Sequence, residues 1–120
     1  MKGGEFLLVE QPEDTVFTIH DFSEDDRMIA NIVEDFIDKE VMPRMNQIEE
    51  QNWDVTLSLF KRAGEIGILS VDIPQNYGGL DKKFTTSLLV TEKLGKSGSF
   101  AVTIAAHTGI GTLPLSLIHI

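Results

Sequence analysis

Cysteine is absent from the chain, which excludes a disulfide framework, a thiolate nucleophile and cysteine metal sites within these residues. Basic residues are scarce where acids are dense. Residues 1–54 hold 15 acids and 4 bases, whereas residues 55–120 hold 4 acids and 6 bases. A nucleic-acid binder presents a basic face, so no nucleic-acid partner is expected. The acidic half reads as a solvated helix surface preceded by a polar lead. Met1-Lys2-Gly3-Gly4-Glu5 lacks the apolar h-region of a secretory signal and the arginine-rich pattern of a transit peptide. The expectation that follows is a bacterial cytoplasmic location. Asp, Glu, Lys and Arg are all missing from Ser97 to Ile120, a stretch long enough to span a bilayer. Gly98, Gly109, Gly111, Pro114, two histidines and several hydroxyls interrupt it, so a buried helix is expected in place of a transmembrane segment.

What remains is enough for one domain with one core. Residues 1–22 are polar and irregular and read as a lead segment on the domain surface. Ser23 and Asp26 have capping-box spacing, and Glu24, Asp25 and Asp26 crowd the first turn, where negative charge favours the helix dipole. Ile29, Ile32, Val33, Phe36 and Ile37 then make one apolar stripe, with Glu34, Asp35, Asp38 and Lys39 opposite. Pro43 breaks or kinks this helix, and a further turn or two runs to about Glu50. Asp54 is the expected N-cap of a second helix with Leu57, Phe60, Ala63 and Ile66 apolar, closed by Gly67.

Ile68 to Ile73 reads as a buried connector in preference to a strand, because nothing in a helical domain would pair with a single strand. Ile73-Pro74-Gln75-Asn76-Tyr77-Gly78-Gly79-Leu80 follows. Pro74 pushes Ile73 to an extended conformation, the glycine pair permits angles a side chain forbids, and Tyr77, the only tyrosine, can dock beside the loop. Residues 84–94 read as a third helix with Leu88, Leu89 and Leu94 inward. Residues 99–109 make a fourth, apolar on nearly every side and therefore central. The fold class is all-α, a helical bundle of four to five helices.

Motifs that carry chemistry are sparse. There is no phosphate-binding G-x-x-x-x-G-K-[ST] run, and Gly109-Ile110-Gly111 is a partial dinucleotide fingerprint without a preceding strand. His20, His107 and His119 have no metal-ligand spacing. His107, in the apolar helix, reads as a hydrogen-bonded core or pocket-wall residue. As a general base it would need a partner that the sequence does not identify. Met28, Met42 and Met45 read as core positions.

Four stretches nevertheless resemble one family. They are Phe36-Ile37-Asp38-Lys39-Glu40-Val41-Met42-Pro43, the run Leu59 to Leu69, the loop Ile73 to Leu80, and Thr91-Glu92-Lys93-Leu94 leading into Ala106-His107-Thr108-Gly109-Ile110-Gly111. In this order they are similar to the N-terminal helical domain of the acyl-CoA dehydrogenases, over Phe17 to Pro114. The domain is placed at 23–114, after the lead at 1–22. Residues 115–120 depart from the family pattern and read as a divergent tail whose native origin stays open.

The resemblance implies a larger parent that binds FAD and oxidises an acyl-CoA to the trans-2-enoyl-CoA. It passes electrons to an electron-transfer flavoprotein and forms a homo-oligomer. The family's flavin-contacting T-E-P-x-x-G-S-D segment and catalytic glutamate match nothing here, so the expectation is a fragment, inactive alone, with no catalytic, cofactor-binding or metal residue of its own. By the same resemblance Val102, Thr103, Ala106, His107 and Ile110 wall the acyl-chain pocket. Medium-chain members place larger polar side chains at the positions matching Val102 and Ala106, so the resemblance is to the long-chain branch. The alternatives are the helical domain of an acyl-CoA oxidase or flavin monooxygenase, and a stand-alone helical interaction module.

Overall fold

In a computed structural model, Leu8 and residues 16–119 are described. Leu8, Val16, Phe17, Ile19 and His20 are exposed; the rest of the expected lead, residues 1–7 and 9–15, lies outside the described residues. All regular structure among the described residues is helical, in agreement with the expected class.

Helix α1 (Glu24–Phe36) begins at the expected capping box. The Asp26 amide donates to Ser23 Oγ at 3.2 Å, and the Ser23 amide donates to Asp26 Oδ2 at 3.0 Å. Pro43 does not end the rod. The chain passes through a π-helical turn, Ile37–Val41, and a 3₁₀ turn, Met42–Arg44, into α2 (Met45–Glu49). Proline near the start of the 3₁₀ turn loses only a donor that the change of helix type would leave unpaired anyway.

Helix α3 (Trp53–Glu65) is capped by Asn52, not Asp54. Asn52 Oδ1 accepts from the Val55 amide at 3.3 Å, after Gln51 reverses the chain at φ 63°. The inward set also differs from the one read. Thr56, Leu59 and Ala63 are buried, while Leu57 is 55% exposed and Phe60 and Ile66 are half-buried. Thr56 tolerates burial because its hydroxyl donates to the Asn52 carbonyl. Gly67 closes the helix as expected, at φ 88°.

The connector after Gly67 starts as a 3₁₀ turn, Ile68–Ser70, and it does find partners. The amides of Leu80, Asp81 and Lys82 donate to the carbonyls of Ser70, Ile73 and Val71, each at 2.9 Å. These bonds fold the Pro74–Leu80 loop back on its own entry. Gly78 takes φ 81°, and a Cβ on Gly79 would overlap the Ile73 backbone. Tyr77, expected to dock beside the loop, ends the short 3₁₀ turn Gln75–Tyr77 and is half exposed.

Helix α4 (Phe84–Leu94) lies against α1. Thr86, Val90 and Leu94 are its buried residues, Leu89 is half-buried, and Leu88, expected inward, is 53% exposed. The contact has a polar component the stripe did not reveal. Thr86 Oγ1 donates to Asp26 Oδ1 at 2.7 Å. Lys93 reaches Glu34 at 3.2 Å and Lys96 reaches Asp38 at 2.6 Å. Part of the supposed solvent face of α1 is therefore a charged seam. Helix α5 (Ser99–Ala105) follows Gly98 and continues through a π-helical segment, Ala106–Thr112, into α6 (Leu113–His119). Counting each uninterrupted rod once, the bundle has four helices among the described residues.

Two predictions follow from these contacts. Gly79→Ala should lower unfolding free energy by about 3 kcal/mol, as expected for overpacking against backbone that cannot move away. Gly78→Ala, which meets open space but a positive φ, should cost about 1 kcal/mol. Urea denaturation measures both, and equal losses would contradict the assigned geometry. Hydrogen bonds from Ser23 and then Thr86 hold the Asp26 carboxyl below its ordinary value of 3.8. Its contribution is therefore complete above that value and is lost as pH falls through the lower, folded-state value. The stability deficit of Asp26→Asn should be largest at neutral pH and vanish in acid, read from denaturation curves across pH.

Candidate functional site

Helix α5 is set in place from both ends of its first turn. Gly98, at φ 52°, carries no capping side chain, and Glu49 of α2 supplies the missing acceptor. Its Oε1 receives the Ser99 hydroxyl at 2.7 Å and the Ser99 amide at 3.4 Å, so a carboxylate sits at the positive end of the helix. Phe100 is fully buried and Ile104 nearly so. Phe100 packs on Phe36 of α1 with ring centroids 6.1 Å apart and a 55° tilt, inside the range of favourable aromatic pairs.

With Phe100 and Ile104 inward, helical periodicity turns Val102 and Thr103, between them, out. Val102 is 67% exposed and Ile110 77%, and Thr103, Ala106 and His107 are exposed as well. The expected all-round burial of this helix is therefore wrong. Its apolar surface is divided between one face in the core and another uncovered in this chain. All five expected pocket residues lie on the uncovered side. His107 is not a core histidine. Its ring forms a T-shaped pair with Phe60 of α3, with centroids 4.9 Å apart at 75°. Phe60, half-buried beside the site, was read from the sequence only as core.

The π-helical segment begins at Ala106, within the candidate site. Such widened turns occur often at functional positions. Two threonines bond the local carbonyls. Thr108 Oγ1 donates to the Ile104 carbonyl and Thr112 Oγ1 to the His107 carbonyl, both at 2.9 Å. Gly109 and Gly111 lie in the same segment. They pack in a helix and form no phosphate turn.

A groove of ≈ 230 Å³ runs beside α5, between it, α4 and the connector at 68–72. Of the five expected residues only Val102 lines it. Ala101, Ala105 and Thr108 complete the α5 side. Their i, i+4, i+7 spacing sets them along one side of the helix, a side that the reading of a uniformly apolar helix did not single out. A second groove, ≈ 310 Å³, runs along Met28, Ile29 and Ile32 and shares Ile68 and Val71 with the first. Among the described residues no cluster of three His, Asp or Glu side chains could hold a metal ion, and no helix is long and apolar enough to cross a membrane.

Residues 23–118 match the family model described as acyl-CoA dehydrogenase, N-terminal domain. A probable acyl-CoA dehydrogenase of Bacillus subtilis is 41% identical over 114 residues, covering 95% of this chain and 19% of that protein. The mitochondrial isovaleryl-CoA dehydrogenase of Pongo abelii is 28% identical over 94 residues, covering 77% and 22%. The crystal structure of an acyl-CoA dehydrogenase complexed with FAD from Bacillus anthracis superposes with a TM-score of 0.90 at 45% identity, covering 94% of this chain and 20% of that one. The chain spans about a fifth of the length of these relatives. The match takes in α1 through most of α6, with the capped first helix, the Pro-Gly-Gly loop and the outward face of α5 inside it, and the chain belongs to the acyl-CoA dehydrogenase N-terminal domain family.

Proposed function

We propose that this chain supplies the N-terminal helical domain of an FAD-dependent acyl-CoA dehydrogenase, and that the outward face of α5 walls the acyl-chain pocket. The observation that carries the reading is that face itself. Val102 and Ile110 stand mostly exposed on a helix whose opposite side is locked into the core by Phe100 and Ile104. Contiguous exposed apolar surface marks a place where a ligand or another protein surface belongs. The positions of Val102, Thr103, Ala106, His107 and Ile110 within the matched region support acyl-chain contact over a purely structural role.

On this reading the flavin is held outside the described residues. Gly109 and Gly111, the partial fingerprint, lie inside a π-helical segment with no strand before it. FAD, held elsewhere in the whole protein, supplies the hydride acceptor when acyl-CoA becomes trans-2-enoyl-CoA. The contribution of this chain is to bind and orient the alkyl chain and to exclude water from it. Ala106 is small and Val102 apolar, so neither blocks nor solvates a long chain, and the preference proposed is for long acyl groups. Electron-transfer flavoprotein as electron acceptor, a homo-oligomeric assembly and a bacterial cytoplasmic location belong to the same reading.

The test is a chain-length profile of the whole enzyme. Activity should peak with long-chain acyl-CoA, and Ala106→Glu should cut kcat/KM for it about tenfold or more, by burying a charge where methylenes belong. A profile peaking at four to eight carbons overturns the long-chain preference. The purified 120-residue chain should be colourless, and copurifying FAD, seen as a flavin absorbance spectrum, would contradict the placement of the cofactor outside it.

A further inference from the structure

The rod that runs from α5 into α6 changes helix type in its middle, and the change straightens an apolar row along it. Val102, Ala106, Ile110, Pro114 and Ile118 are spaced by four, and all five are exposed. In an uninterrupted α-helix such a row winds round by about 160° over its four steps. The π-helical segment Ala106–Thr112 takes more than four residues to a turn, so it winds the row back. One side of the rod therefore carries Val102, Ile110 and Ile118, exposed by 67%, 77% and 71%, with the smaller Ala106 and Pro114 between them. Large and small alternate, and the order of sizes reads almost the same from either end.

Charge separates this row from the other exposed apolar residues. Trp53 and Leu57 share α3 with Asp54 and Lys61, and Phe84 and Leu88 share α4 with Glu92 and Lys93. Residues 99–119 include no Asp, Glu, Lys or Arg, and Glu49, which touches their first turn, is engaged by Ser99. In a chain of net charge −9, this is a surface on which two copies meet at neutral pH without opposing like charges.

We propose that this side of the rod is a self-association surface, through which the chain by itself pairs with a second copy, the two rods crossing antiparallel about a two-fold axis at Ile110. An isologous contact needs a self-complementary patch, which the near-palindromic row supplies. Rows spaced by four interdigitate in the commonest class of helix packing. One side of a rod about 30 Å long and about 11 Å across presents on the order of 500 Å². Two copies then bury about 1,000 Å², the lower end for a specific interface and the range of weak, concentration-dependent dimers. In the whole protein, on the functional reading above, the same side meets the acyl chain, so pairing and substrate contact exclude each other.

Sedimentation velocity of the purified 120-residue chain, from about 1 μM to about 1 mM, tests the proposal. The expected result is a monomer–dimer equilibrium. Ile110→Glu should weaken it about tenfold or more by placing a charge in the contact, with Tm within about 3 °C of wild type because the side chain is exposed. Leu88→Glu, exposed on α4, should leave it unchanged. Ile110→Cys, in a chain without cysteine, should give a disulfide-linked dimer on oxidation, and keeps the test sound if the glutamate variant folds poorly. A monomer at every concentration, an Ile110→Glu variant that still pairs, equal weakening by Leu88→Glu, or growth past the dimer into open aggregates overturns the proposal. Each of those results leaves the dehydrogenase reading intact, because the chain-length profile of the whole enzyme tests that separately.

Discussion

Phe100 against Phe36 is the contact on which the rest of the domain depends. It joins the last helical rod to the first across the centre of the bundle, and both rings are nearly or fully buried. Burying a phenylalanine in this way stabilises by about 1.5–3 kcal/mol. Its structural consequence is larger than that figure. Once Phe100 points inward, a helix period of 3.6 fixes Ile104 inward too and turns Val102, Thr103 and Ala106 out. The outward face exists because its opposite side is held.

Polar contacts refine what the core sets. Glu49 caps α5 from a neighbouring helix because Gly98 cannot cap it, which couples the start of α5 to α2. Asp26 serves two elements at once, closing the capping box of α1 and accepting the Thr86 hydroxyl of α4. The Lys93–Glu34 and Lys96–Asp38 pairs are surface ion pairs and contribute little individually. The Pro74–Leu80 loop acts similarly by backbone alone. Its exit bonds to its entry, and Gly79 is required because the Ile73 carbonyl occupies the place of a side chain.

Much of this was legible in the residues. Ser23 and Asp26 marked the first helix, Gly67 and the Gly78–Gly79 pair marked the turns, and the ends of α4 came out as read. Each is a local signal, set by sterics or a hydrogen bond within a few residues. The inward faces of the middle helices were less legible. Leu57 and Leu88 looked like core and are exposed, while Thr56 and Thr86 are buried. Hydropathy misjudged them because a threonine whose hydroxyl is already bonded, to Asn52 or to Asp26, behaves as a small apolar residue. The cap at Asn52 was missed for a similar reason: Asp54 is as good a cap by type, and the turn at Gln51 decided between them.

The sequence by itself determined an all-helical domain, the first helix cap, the glycine turns and the family pattern spread along it, since all of these rest on interactions between near neighbours or on the order of motifs. Which face of α5 meets the core, which is left open, and the groove that Ala101 and Ala105 border were decided by the tertiary structure alone. A helix apolar all round offers no stripe to read. Only the partner that fills one side, here Phe36 against Phe100, tells the other side apart.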